Sequence, residues 1–118
     1  MGLSLELAVG RPGTPPEQWV RIAGDHEWPD KPRWGADGKT IFFISKGSTS
    51  HLNLWAARFD PELGQPIGKA FALTHFDSSK MAISPYIDDS YLAISPRHAV
   101  VQISSVTGCI WMLENLDR

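Results

Sequence analysis

The sequence predicts an all-β protein, and three observations carry that prediction. Short apolar runs recur along the chain, either alternating, as in Leu3-Ser4-Leu5-Glu6-Leu7-Ala8-Val9, or β-branched and aromatic, as in Thr40-Ile41-Phe42-Phe43-Ile44-Ser45. Runs of this length and kind are strands with at least one buried face. Clusters of Gly, Pro, Asp and Ser close each run, which is the punctuation of turns between antiparallel strands. No stretch of ten residues keeps a helical period without a breaker, so at most a short turn of helix is expected.

The elements follow in order. Leu3, Leu5, Leu7 and Val9 fall on one face of the first strand. Gly10 to Glu17, GRPGTPPE, is a loop, because Gly and Pro forbid a regular ladder there. Gln18 to Ile22 is the second strand, and Ala23 to Lys31 is a polar connection that carries Trp28-Pro29. Three strands in a meander are expected near Pro32–Gly35, Thr40–Ser45 and Leu52–Phe59, with Asp37-Gly38 marking the tight turn between the first two. Asp60 to Lys69, DPELGQPIGK, reads as a Gly/Pro loop and Ala70 to Thr74 as a strand. Met81 to Asp89 is ambiguous, since Pro85 argues against a central strand. Ser90–Ser95, Ala99–Ser104 and Cys109–Leu113 close the series, with Pro96-Arg97-His98 and Thr107-Gly108 as turns.

Composition narrows the function classes. The chain has 118 residues, enough for one domain with a modest core. Charged residues make up 20% and the net charge is −2, so there is no electrostatic case for nucleic acid or an anionic membrane as partner. Five Trp suit sheets packed face to face, where large rings fill the gap between layers. Cys109 is the one cysteine, which excludes an internal disulfide and a Cys-based zinc site within one chain. The N-terminus lacks the basic and apolar blocks of a secretory signal, and no apolar run approaches the ~20 residues of a membrane span, so a cytoplasmic protein is expected.

Internal repeats organise the rest. Gly10-Arg11-Pro12 leads to Trp19-Val20-Arg21-Ile22, and Gly64-Gln65-Pro66 leads to Phe71-Ala72-Leu73-Thr74. Ile41 to Ser45 followed by Asn53-Leu54-Trp55-Ala56 matches Val100 to Ser104 followed by Cys109-Ile110-Trp111-Met112, with the second loop three residues shorter. Pro32-Arg33-Trp34-Gly35-Ala36-Asp37-Gly38-Lys39-Thr40-Ile41-Phe42-Phe43, closed by Asn53-Leu54-Trp55, resembles the repeat of TolB-type, WD40-like β-propellers; Gly35-Ala36 replaces the usual Ser-Pro. Pro16-Glu17-Gln18-Trp19-Val20, Gly64-Gln65-Pro66-Ile67-Gly68 and Thr107 to Met112 extend the likeness to the C-terminal blades of propellers attached to bacterial transcriptional regulators and serine/threonine kinases. In those proteins the propeller is a non-catalytic sensory or scaffolding module.

The resemblance implies about two blades. A single β domain over 1–118 would hold the last two strands of one blade at 1–24, a complete blade at 30–76 and an incomplete one at 81–118. Two blades leave apolar faces and strand edges that neighbours normally cover. Homo-oligomerisation is therefore expected, as a closed ring such as a trimer or as a strand-exchanged dimer, with a further protein partner also open.

Candidate contacts on the implied rim are His26, Glu27, Trp28 and Asp30 after one blade, and His75 and Asp77 at the equivalent place of the next. Imidazole and carboxylate suit divalent metals. The spacing matches no metal signature, and solvated loops explain these residues as well. Trp19, Trp34, Phe43, Trp55 and Trp111 are expected in the blade core. Asp88-Asp89 reads as a turn, and no nucleophile elbow, P-loop or dinucleotide fingerprint is present. No cofactor and no catalytic residue is expected. The reading is a non-enzymatic interaction and assembly module. A small-molecule or metal sensor with its site at an inter-subunit channel or rim is the other reading, and a hydrolase remnant or a relic of a longer gene are lesser ones.

Overall fold

The computed structural model describes residues 6–26, 29–47, 51–78, 81–83, 92–105 and 109–114, with the backbone alone at 81–82, 102–105 and 109–114. Its strands are β1 (Leu7–Val9), β2 (Val20–Ile22), β3 (Asp30–Trp34), β4 (Thr40–Ser45), β5 (Asn53–Asp60), β6 (Gln65–Ala72), β7 (Met81–Ile83), β8 (Leu92–Ile94), β9 (His98–Ser105) and β10 (Cys109–Glu114). The fold is all-β, and the one helical element among the described residues is a 3₁₀ turn at Pro16–Gln18. No helix is long and apolar enough to cross a membrane among the described residues.

Among the described residues all strand pairs are antiparallel and form three sheets. β1 and β2 make the first, with Leu7 opposite Ile22. The second is the meander β3-β4-β5-β6. The third has β9 at its centre, β10 on one side, and β7 and β8 end to end along the other.

The pleat of β4 and β5 explains how the sheets stack. Ile41, Phe43, Ala57 and Phe59 share one face and pack on Leu7 and Ile22 of the first sheet. Ile44 and Leu54 share the other and pack on Ile83, Leu92, Ala99 and Val101 of the third. The meander is thus buried on both faces at its centre, which is why β4 and β5 read as near-continuous apolar runs rather than alternating ones. The first sheet alternates because only one of its faces is covered. Its outward side carries Ala8 and an Arg21–Glu6 ion pair of 3.1 Å, so this outer face is polar, against the expectation of an apolar one.

Three expectations need correction. The Gly/Pro loop at 60–69 is mostly strand: Asp60 to Gly64 forms the turn, and β6 starts at Gln65. Pro66 is tolerated because β6 is the edge of its sheet, and Gly68, at φ 69°, sits in a bulge between the Arg58–Ile67 and Ala56–Phe71 pairs. Pro, bulge and Lys69 together make this edge a poor template for another strand. The second correction is the repeat register. Phe43 pairs with Trp55 and Val101 with Trp111, so Phe43 corresponds to Val101 rather than Gln102, and the second loop is two residues shorter instead of three. The third concerns the tryptophans. Trp34 is 50% exposed and Trp19 37%, so neither is a core residue of this chain. Among the described residues the aromatic neighbour of the Trp34 ring is Phe59, edge-on at 6.0 Å, and the outer side of the indole lies open along the seam with β1 and β2. Phe43 is fully buried as expected, and Trp55 is half-buried. The side chain of Trp111 lies outside the described residues.

Candidate functional site

The two buried polar side chains among the described residues are Ser45, at 0% exposure, and Asn53, at 4%. They face each other across the β4–β5 ladder at the end of the hairpin. Each one fastens a connecting segment, Asn53 the one that leaves β6 of the same sheet and Ser45 the one that leaves β2 of the first sheet.

Asn53 holds the segment after β6. Its carbonyl oxygen accepts the Phe76 N–H at 2.6 Å and the Thr74 hydroxyl at 2.8 Å. Its amide donates to the Phe76 carbonyl at 3.2 Å and the His51 carbonyl at 3.4 Å. Thr74 Oγ1 in turn accepts the Leu54 N–H at 2.9 Å. An Asn has two acceptor sites and two donors, and all four are used here. No shorter or apolar side chain could continue the ladder past β6 in this way.

Ser45 holds the segment after β2. Its hydroxyl accepts the Gly47 N–H at 2.8 Å and lies 3.1 Å from His26 Nδ1. His26 sits edge-on against Trp55, with ring centroids 4.3 Å apart, and against Phe43 at 5.3 Å. Its side chain is 5% exposed, and Asp25 Oδ1 approaches Nε2 at 4.0 Å. Burial pushes the imidazole below its ordinary value of 6.5, and the Asp25 charge opposes that only in part. The Trp55 indole donates to the Ser45 carbonyl at 3.0 Å, and its ring lies over Gly47, where a Cβ would meet it at 2.5 Å. Ser, His and Asp thus come together, but the hydroxyl is wholly buried and already occupied. The arrangement locks a loop and leaves no room for a substrate carbonyl beside the serine.

His26 contacts Ser45 and Phe76 bonds to Asn53, so the connections after β2 and after β6 both meet this hairpin end. His75 and Asp77 flank Phe76 there and are exposed. His26 is interior rather than a surface contact. Asp30 is half-buried, accepts the Lys31 N–H at 2.8 Å and lies 3.9 Å from its ammonium. Glu27 and Trp28 lie outside the described residues. Among the described residues no three His, Cys, Asp or Glu side chains gather into a metal-binding group.

The turn at the other end of β4 is equally determined. Asp37 accepts from Lys39 N–H, Thr40 N–H and the Thr40 hydroxyl at 2.8, 3.0 and 2.9 Å, which holds its carboxyl below the usual value of 3.8. Gly38 supplies the positive φ of 68°.

A groove of about 500 Å³ runs along the seam between the first two sheets, lined by Leu7, Trp19, Pro32, Arg33, Trp34 and Ile41. The Trp19 ring folds over Gly10 and its N–H bonds to Thr14, so the indole is fixed in place although exposed. Sequence reading named both tryptophans and missed that they form a surface. No known protein family, curated protein or solved structure matches the chain.

Proposed function

We propose that this chain is a non-catalytic interaction and assembly module built as part of a β-propeller-like stack. The observation that carries the reading is the meander buried on both faces between two flanking sheets. Repeat units of this kind bury their faces only against neighbours. The residues that carry the TolB-type likeness have architectural work: Asp37 and Gly38 make the turn, Asn53 closes the ladder and Trp55 covers Gly47. Recognition then belongs to surfaces, and the seam of Trp19 and Trp34 is an aromatic one, of the composition that interface centres favour.

The test is absolute mass by light scattering across a dilution series, for the wild type and for Trp34→Ser. The expected result is a defined oligomer that Trp34→Ser shifts toward monomer. A wild-type chain that is monomeric at every concentration overturns the assembly reading. An oligomer indifferent to Trp34→Ser removes the seam from it.

A further inference from the structure

At the Asp37 end the second and third sheets splay apart. Ile44 and Leu54 are covered by β8 and β9, but the same face of the meander continues through Phe42, Ala56 and Arg58 beyond the end of β8. A cleft of about 400 Å³ opens there, walled on the far side by Ile94, Ser95 and Pro96. Its shape follows from the register. Phe42, Ala56 and Phe71 lie side by side across β4, β5 and β6, so one small residue stands between two rings. Next along the same face is Arg58, whose guanidinium stands 5.7 Å from the Phe71 ring. Among the described residues Arg58 has no carboxylate partner. The carboxylate that does line the cleft, Asp37, already accepts three hydrogen bonds from its own turn.

We propose that this cleft binds a small aromatic carboxylate, with its ring on the aromatic wall of Phe42 and Phe71 and its carboxylate paired with Arg58. A guanidinium offers a carboxylate two parallel donors, and a flat apolar body suits a trough with aromatic walls. The volume is in the range of small-molecule sites, which are mostly apolar with a few fixed polar groups. The same chemistry has two sources, a free acid or the C-terminal aromatic residue of a peptide. The site does not depend on the propeller reading and stands or falls apart from the mass measurement.

The experiment is an amide-resolved NMR titration of the whole chain with phenylacetate, with phenylacetamide, and with an acetylated tripeptide ending in phenylalanine. Phenylacetate should shift the Ala56, Arg58 and Phe71 signals saturably, and the neutral amide should not. Arg58→Gln, an exposed position, should weaken binding about tenfold or more. Phe71→Ala, also at an exposed position, should remove part of the aromatic wall and weaken binding as well. Tighter binding of the peptide than of phenylacetate supports a chain terminus as the source, and the reverse supports a free acid. No saturable shift with either acid, or binding unchanged in Arg58→Gln, overturns the proposal.

Discussion

Removing the Asn53 side chain tests the account of the hairpin end most directly. Asn53→Ala deletes four hydrogen bonds at a site 4% exposed. Thr74 Oγ1 keeps its bond from the Leu54 N–H, and its own O–H can rotate to another acceptor, so the groups that bear the loss are the N–H and C=O of Phe76 and the carbonyl of His51. A buried backbone group without a partner costs ~1–3 kcal/mol, and each bond contributes a net ~0.5–1.5 kcal/mol. The residues on either side, His75 and Asp77, are exposed, so water reaches Phe76 after a small local opening, and the low end of the range applies. The expected loss is about 3 kcal/mol. At an m-value of ~1.5 kcal/mol/M that moves the urea midpoint down by about 2 M with the slope unchanged. Tryptophan fluorescence follows the transition, and hydrogen exchange at the Phe76 amide reports the local effect. Thr74→Val, which deprives only the Leu54 N–H and one Asn53 acceptor, should lose less, about 1–2 kcal/mol. A loss in Asn53→Ala below ~0.5 kcal/mol, the level of an ordinary surface substitution, with Phe76 protection intact, would refute the lock.

Two further predictions use the same hairpin end. Gly47→Ala places a methyl 2.5 Å from a Trp55 ring that its own N–H pins to Ser45, at a φ of 60°, and should cost about 2–3 kcal/mol; Gly10→Ala meets Trp19 at 2.3 Å but that ring is exposed, and moving it exchanges its Thr14 hydrogen bonds for bonds to water, so thermal unfolding should rank Gly47→Ala as clearly the worse, and equal losses would undo the reasoning. His26, buried as the neutral imidazole, should titrate below 6.5 by NMR; its contribution to stability is then complete above that pH and declines as the pH falls from there through the folded-state value, whereas a midpoint at or above 6.5 would reverse the sign.

Most strands were legible because their signals are local. β4 was expected at Thr40–Ser45 and lies at Thr40–Ser45, since a β-branched and aromatic run bounded by Asp37-Gly38 leaves little choice. β6 was not legible. Pro66 and Gly68 stop a central strand but not an edge one, and edge position is set by the sheet, not by the segment. The repeat match found the right strands in the wrong register, because Val100 and Val101 are interchangeable as letters while the pleat buries one and exposes the other. His26 misled for a related reason. A histidine in AGDHE reads as solvated, and what buries it is Ser45, Phe43 and Trp55, all far along the chain.

The same distinction bears on function. The residues that carry the sequence likeness turn the chain, close a ladder and cover a glycine, and those tasks are common to any stack of such sheets whatever it binds. Asp37, Gly38, Asn53 and Trp55 each meet that description through contacts within the chain. Their presence therefore carries information about architecture and almost none about ligands. The residues free to differ are those pointing away from these contacts. Arg58 lies directly opposite Thr40 of the turn, yet none of the turn's hydrogen bonds involves its side chain. Ala56 is packed as a core residue between Phe42 and Phe71, so on this face it is the rings beside it and Arg58 that meet the cleft. An arginine that the turn does not need thus stands beside an exposed aromatic ring, Phe71, at the mouth of a cleft, and that pairing is what the titration with aromatic acids tests.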